Sequence, residues 1–219
     1  ARIDGHHVLL CYQVDDLAIA CIDTNIANRV ISDIDSHVTM VNDGLFKTFN
    51  GIDVEQTHDY VKLSCSSYIS RLIKSHGWDT ASAKESDKPI KPLPDRIYKA
   101  MLIAEGPREK TLDAKRLAAE AGFSYRSVLG KVAWAYVAAR VDIAYALTLL
   151  AQHADAPAKI HYDALRHLCK YLRRTMNWGT IYWHPHPLPH LEVEEEQEPR
   201  PNKRFKPADV LTWKQSFGP

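Results

Sequence analysis

Asp15 and Asp16 stand side by side between two apolar runs, Val8 to Tyr12 (VLLCY) and Leu17 to Ile22 (LAIACI). Carboxylates set against apolar strands are costly to bury unless a cation or a donor compensates them. Adjacent acids at a tight turn can present oxygens to Mg²⁺, a hard cation that takes few protein carboxylates and keeps several waters. The arrangement suits two-metal phosphoryl or nucleotidyl transfer, where one ion activates an attacking hydroxyl and the other holds the triphosphate and the leaving oxygen. Asp-Asp is also ordinary turn chemistry, and the dipeptide alone leaves both readings open.

The elements that must position this pair follow from the flanking pattern. The two apolar runs, separated by Gln13-Val14-Asp15-Asp16, predict a hairpin whose strands are buried on both faces. Thr24 or Asn25 can cap a helix running to about Met40, with Ile26, Val30, Ile34 and Val38 on one face. Strand-like pieces follow at Leu45 to Val54 and Tyr60 to Cys65, joined by a polar turn at Gln56 to Asp59. A short helix spans Tyr68 to Ser75, opened by Ser66-Ser67 and stopped by Gly77. Lys88 to Pro94 reads as extended and polyproline-like, and Thr111 to Ala121 as helix. From Ser124 the periodicity predicts three helices, 124–138, 142–153 and 158–174, the last preceded by Pro157. The fold class expected is α+β. After Tyr182 come a His/Pro segment, an acidic run (Glu192 to Glu198) and a basic run (Arg200 to Lys206), the composition of a disordered tail.

Composition narrows the class. The chain has 219 residues, 45% hydrophobic and 25% charged, which suits one or two globular domains. Lys and Arg number 28 against 27 Asp and Glu, so overall charge points to no polyanion partner. No apolar run reaches the ~18–20 residues of a membrane span, and the first residues do not read as a signal peptide. Cys11, Cys21, Cys65 and Cys169 form no C-x-x-C pair, which argues for reduced, mostly buried thiols rather than a zinc ribbon or disulfide scaffold. Chain start at Ala and immediate entry into a strand suggest that the natural N-terminus lies upstream. His184, His186 and His190 could hold a metal but read better as tail, and His161 reads as a capping or core residue.

Charge is local rather than global. Residues 124–178 hold eight Lys and Arg (Arg126, Lys131, Arg140, Lys159, Arg166, Lys170, Arg173, Arg174) against three acids. On the last helix Ile160, Ala164, Leu165, Leu168, Tyr171 and Leu172 fall on one face, and Lys159, Arg166, Lys170 and Arg173 on the other. Such a stripe is either a footprint for phosphates or a solvated surface, as in an interaction protein. Arg126, Gly130 and Trp134 stand at i, i+4 and i+8 and share one face. There Gly130 would admit a close backbone and Trp134 offer a flat apolar surface. The alternative is that Gly130 permits helix packing and Trp134 is core.

Read in order, the motifs resemble the reverse transcriptases of Ty1/copia-type retrotransposons. Tyr12-Gln13-Val14-Asp15-Asp16-Leu17 resembles the Y/F-x-D-D box, in its V-D-D-L form. Thr48-Phe49-Asn50-Gly51-Ile52 resembles the F-L-G-I primer-grip segment, and Tyr68 to Ile73 the following Y-I-x-x-L-L helix. Pro92-Leu93-Pro94, Tyr125 to Gly130 (Y-R-x-x-V-G in the family) and Arg140 to Ala146 (R-P-D-I-A-Y-A) come next. His161 to Leu172 resembles H-x-x-A-x-x-x-x-x-Y-L, and Trp178 to Tyr182 a closing G-L-x-Y. Each box is short; their order and spacing, over about residues 6 to 183, carry the resemblance. Arg126, Gly130 and Trp134 resemble in spacing the thumb helix of retroviral enzymes that tracks the minor groove of the product duplex, a readout of shape without base specificity.

The resemblance implies a partial palm (hairpin, helix, short strands) over 1–65, a mainly helical thumb or connection-like region over 66–182, and a tail over 183–219. It implies Asp15 and Asp16 as catalytic metal ligands for Mg²⁺, or Mn²⁺ in its place, with Asp15 the more direct, and Gln13 beside the nucleotide. Phe49, Asn50, Gly51 and Ile52 would place the primer end. Arg126, Gly130, Trp134, Lys159, Arg166, Lys170 and Arg173 would hold the duplex. Implied partners are an RNA/DNA primer-template duplex, a dNTP, and the integrase and RNase H parts of a Pol polyprotein, in a cytoplasmic particle and the nucleus for an intact element. Gln13 departs from the family's aromatic and Val141 from its Pro, and the tail does not resemble an RNase H region. The third carboxylate and the basic fingers residues of such polymerases would lie upstream of Ala1, so this chain alone is expected not to polymerise. A non-catalytic nucleic-acid-binding remnant is the alternative function.

Overall fold

The computed structural model describes residues 1–45, 47–79 and 89–184. The fold is α+β. The chain divides into two compact units, Ala1–Asn50 and a second beginning at Gly51.

In the first unit, strands β1 (Arg2–Ile3), β2 (His6–Gln13) and β3 (Asp16–Cys21) pair antiparallel in that order. Ile3 pairs with His6 across Asp4-Gly5, both at positive φ (49° and 84°), the backbone that Asp-Gly favours in a two-residue hairpin turn. Helix α1 (Thr24–Asp35) follows, capped by Asp23, whose carboxylate accepts from the Asn25 N–H at 2.8 Å. It ends five residues short of Met40 because local polar groups take over. Ser36 Oγ donates to Asp33 O, and Asp35 Oδ1 accepts from the Met40 N–H at 2.7 Å. Ile26 and Val30 are its buried face.

The hairpin is not buried on both faces, as its apolar runs predicted. Val8 is 1% exposed, but Leu9 is 68% and Tyr12 79% exposed. Among the described residues the unit has one helix, which packs against β3, so a single layer covers the base of the hairpin. A short strand, β4 (Thr48–Phe49), lies near the end of this unit.

In the second unit β5 (Ile52–Gln56), β6 (Tyr60–Ser64) and β7 (Gly179–Trp183) pair antiparallel, with Tyr60 opposite Trp183 and Ser64 opposite Gly179. The rings of Tyr60 and Trp183 meet edge to face at 5.4 Å. Strand β7 was not expected; it extends order past Tyr182, and the rest of the expected tail, from 185, lies outside the described residues. Gly179 is needed because a Cβ there would come within 2.1 Å of Leu63 O.

Helix α2 (Ser66–Ser75) takes its N-terminal cap from β5, Asp53 accepting the Ser67 N–H at 2.8 Å. Helix α3 (Tyr98–Ile103) was missed in the Pro-rich stretch. Helix α4 (Leu112–Ala121) starts at a Thr111 cap. Then come α5 (Tyr125–Ala138), a 3-10 turn (Val141–Ile143), α6 (Ala144–Ala151) and α7 (Lys159–Arg174), close to the three helices expected. Ile69, Val128, Val132, Ile143, Leu150, Leu165, Leu168 and Leu172 make the buried centre. Among the described residues no helix is long and apolar enough to cross a membrane.

Candidate metal and nucleic-acid site

The carboxylate pair sits at the tip of the β2–β3 hairpin. Gln13 pairs with Asp16, so Val14 and Asp15 form the turn, and all four are exposed. The pair is therefore not desolvated between its flanking strands; the chain turns there and lifts both acids into solvent. Val14 holds φ at +57°, a conformation unfavourable for a β-branched side chain, where Gly or Asn is usual. Among the described residues no hydrogen bond or ion pair ties down either carboxylate, so their oxygens are open to a cation. No third His, Cys, Asp or Glu joins them among the described residues. Two oxygen-donor side chains with room for water suit a hard divalent cation held partly by other groups.

Phe49 and Asn50 close the first unit, Phe49 half-buried and Asn50 left-handed at φ +49°. Gly51 and Ile52 open the second. Gly51 has φ +76°, and a Cβ there would meet the Trp134 ring at 3.3 Å. Trp134 is half-buried and also lies on the Tyr68 ring, centroids 4.1 Å apart. The Tyr68 hydroxyl donates to Lys131 O at 3.1 Å, pinning that ring to α5. The fold thus brings Gly51 and Trp134 together, which sequence spacing did not indicate.

Along the same face of α5, Gly130 is exposed, with nothing within 4 Å of where a Cβ would stand. Among the described residues no other helix packs on it. Arg126 is exposed and ion-paired to Glu109.

The basic face of α7 is more occupied than its sequence suggests. Lys159 is exposed between Glu120 at 3.5 Å and Asp163 at 4.0 Å. Arg166 donates to Ala121 O, the last carbonyl of α4, and lies over the Phe123 ring at 5.5 Å. Arg173 donates to Trp78 O at 2.8 Å and Asp79 O at 3.1 Å. Lys170 is exposed.

Arg140, counted above with the surface cations, is 1% exposed. Its guanidinium forks onto Asp142 at 2.9 and 2.8 Å and donates to Thr175 O and Oγ1 at 3.0 and 2.6 Å. The Tyr171 hydroxyl donates to the same carboxylate at 2.8 Å. Burial alone would raise the Asp142 carboxyl, but the bonds from Arg140 and Tyr171 outweigh it and hold it below the ordinary range. Arg140 is therefore structural and no part of a phosphate surface.

His161 is buried as expected, its Nδ1 accepting from the Ala158 N–H at 2.9 Å and its Nε2 donating to Met101 O at 3.0 Å. Burial pushes the Cys65 thiol up to about 11 and the Cys169 thiol to about 12, so neither is a nucleophile. All four cysteines are free, but Cys11 is exposed on the hairpin and Cys21 half-buried, against the expectation of mostly buried thiols. His186 and His190 lie outside the described residues.

No family model and no solved structure matches the chain. The chain is 24% identical over 174 residues, 78% of its length, to a retrovirus-related Pol polyprotein from transposon TNT 1-94 of Nicotiana tabacum. It is 24% identical over 180 residues to a putative transposon Ty5-1 protein of Saccharomyces cerevisiae. It is 25% identical over 174 residues to a retrovirus-related Pol polyprotein from transposon RE1 of Arabidopsis thaliana. The match spans 12% of the tobacco protein, 53% of the yeast protein and 10% of the Arabidopsis protein. Over most of its length, then, the chain is similar at low identity to transposon Pol polyproteins.

Proposed function

We propose that this chain is a palm-and-thumb part of a Ty1/copia-type RNA-directed DNA polymerase, carrying two of its metal-binding carboxylates and its duplex-tracking helices. The observation that carries the reading is the Asp15–Asp16 pair, lifted into solvent at the tip of an antiparallel hairpin and, among the described residues, free of protein donors. The strained Val14 beside it is the kind of backbone outlier that clusters at functional turns. Mg²⁺ bound by Asp15 and Asp16 would offset charge on the α-phosphate of a dNTP as a primer 3′-hydroxyl attacks it. Gln13, at the end of β2, lies next to that pair and borders the nucleotide. Gly51, packed on Trp134, fixes the turn that places the primer end. The open Gly130 face of α5 and the cations of α7 contact the duplex through shape and phosphate.

The chain alone is inactive in this reading, since a third carboxylate and the residues gripping the triphosphate must be supplied from elsewhere. The test is a Mn²⁺ titration of the full chain followed by NMR. Paramagnetic broadening centred on residues 13–16 and falling off along β2 and β3, and abolished in Asp15→Asn/Asp16→Asn, is expected. Unaffected turn resonances would refute the metal role, and Mg²⁺-dependent primer extension by the pure chain would refute its incompleteness.

A second reading, a non-catalytic nucleic-acid binder, is favoured by the lack of a third metal-ligating side chain near the pair among the described residues. Asp15→Asn separates the two. It abolishes activity in an enzyme reconstituted with the missing palm and fingers, and leaves a pure binder unchanged.

A further inference from the structure

Arg126 shares the exposed face of α5 with Gly130, and its guanidinium is already held by the Glu109 carboxylate. Glu109 belongs to residues 104–110, the segment between α3 and α4. That segment is strapped down along its length. Its Gly106 N–H donates to Ala156 O at 3.1 Å, and its Glu109 N–H donates to Asp155 O at 2.9 Å. Gly106 lies so close to the loop between α6 and α7 that a Cβ there would come within 2.2 Å of Pro157 O. At the start of the strap the Ala104 N–H donates to Met101 O, the carbonyl that also accepts from His161 Nε2. At its end the Thr111 hydroxyl donates to Arg108 O at 2.8 Å and caps α4. The Glu109 backbone is therefore set beside Arg126 before any ligand arrives.

The strap carries Glu105, Arg108, Glu109 and Lys110, all exposed, and their charges sum to zero. As a whole it neither draws nor repels a polyanion. Its effect falls at one point. A carboxylate on a guanidinium takes the donors that a phosphate oxygen would use. Because the strap tethers it, that carboxylate competes as an intramolecular ligand at high effective concentration. The pair is also half open to water, the Arg126 and Glu109 side chains being 55% and 43% exposed. Exposed pairs of this kind are weak, so a strand can displace the carboxylate.

We propose that the strap is an autoinhibitory contact: Glu109 holds Arg126 in place of a strand phosphate, and a duplex must displace it to use that end of the α5 face. This rests on the nucleic-acid reading above and concerns its regulation. In the natural chain Arg126 is a cation held in reserve, released when the carboxylate leaves or when the strap lifts from the 155–157 loop.

The test measures binding of a 20-base-pair RNA/DNA duplex to the full chain across a salt series. Glu109→Gln should tighten binding at low salt by about two- to fivefold. It should also steepen the slope of log K against log salt by about 1, as Arg126 gains a phosphate. Adding Arg126→Gln to that variant should cancel both gains. Glu105→Gln removes the same charge from the same strap and should leave the slope unchanged. Gly106→Ala alters no charge but forces the strap off Pro157, and should shift binding in the direction of Glu109→Gln. Glu109→Gln binding no tighter than the natural chain, or a gain that survives Arg126→Gln, would overturn the autoinhibition and leave the proposed function standing. An equal gain in affinity and slope from Glu105→Gln would replace the contact with a bulk charge effect and overturn it too. Gly106→Ala without any gain would overturn the part given to the strap. No duplex binding by any of these forms at low salt would overturn both this inference and the nucleic-acid reading.

Discussion

Arg140 is a charged residue buried inside the second unit. Its charge is compensated by a two-point fork onto Asp142 and by two oxygens of Thr175, all within 3.0 Å. Removing one partner of a buried pair strands the other, a loss of about 3–5 kcal/mol. Arg140→Ala should therefore lower unfolding free energy by about 3 kcal/mol or more in urea titration. Arg140→Lys should not restore it, since an ammonium cannot make the fork. His161 gives the unit a second, pH-dependent term. Burial, reinforced by the stacked His153 ring, lowers the His161 pKa, while the bond to Met101 O opposes this. A depressed folded pKa means the unfolded chain binds the proton more readily. Its contribution is full above about pH 6.5 and is lost as pH falls toward the lower folded value. Burial depresses His167 in the same direction. Melting temperature should drop through mildly acid pH, and His161→Gln, whose side chain can keep the bond to the Ala158 N–H as in a capping box, should flatten part of that drop. The core role of His161 was legible from its place on the apolar side of α7. Arg140 was not, because a sequence shows where charges stand along a helix but not which of them a neighbouring carboxylate will draw inside.

At the scale of elements, the long helices of the second unit were legible, while the short α3, the end of α1 and the strand edges were not. An apolar period over ten or more residues leaves a helix few alternatives, so α5 and α7 were placed within a residue or two. The hairpin was placed correctly along the chain, yet its burial was not, because an apolar run states a preference for cover and not whether cover exists. Strand β7 escaped notice since its partner, β6, lies more than a hundred residues earlier. The β1–β2 turn could have been found from Asp4-Gly5. The exposed hairpin has a consequence in solution. Leu9 and Tyr12 are exposed large apolar side chains on β2, a strand whose pairing to β1 covers only its first residues. Open, apolar strand edges template association between chains. The pure protein should aggregate with rising concentration by light scattering. Leu9→Lys/Tyr12→Lys should suppress this while leaving the melting of the second unit unchanged. A natural chain that stays monomeric at high concentration would show that the hairpin is self-sufficient.

For the whole molecule, affinity for nucleic acid must come from the distribution of charge, because the net charge of +1 supplies no general attraction. The stripe on α7 is smaller in practice than in sequence. Lys159 is shared between two carboxylates, and Arg166 and Arg173 donate to carbonyls of their own chain. Those guanidinium groups keep their charge but are anchored, so they present a fixed field rather than flexible grips. Four cations set the upper bound for this face, Lys159, Arg166, Lys170 and Arg173. With about 0.9 counterion released per phosphate neutralised, the slope of log K against log salt should not exceed about 4 in magnitude. Binding of an RNA/DNA duplex to the full chain should therefore be measurable at low salt and fall away toward physiological salt. It should be insensitive to base sequence, because the contacts proposed for α5 and α7 read shape and phosphate. Asp15→Asn in the absence of divalent cations should leave that binding intact. A slope much steeper than 4 would mean that other cations of the chain join the footprint. A salt-independent association would mean that α7 is a solvated surface and that the carboxylate turn must be explained without a nucleic-acid partner.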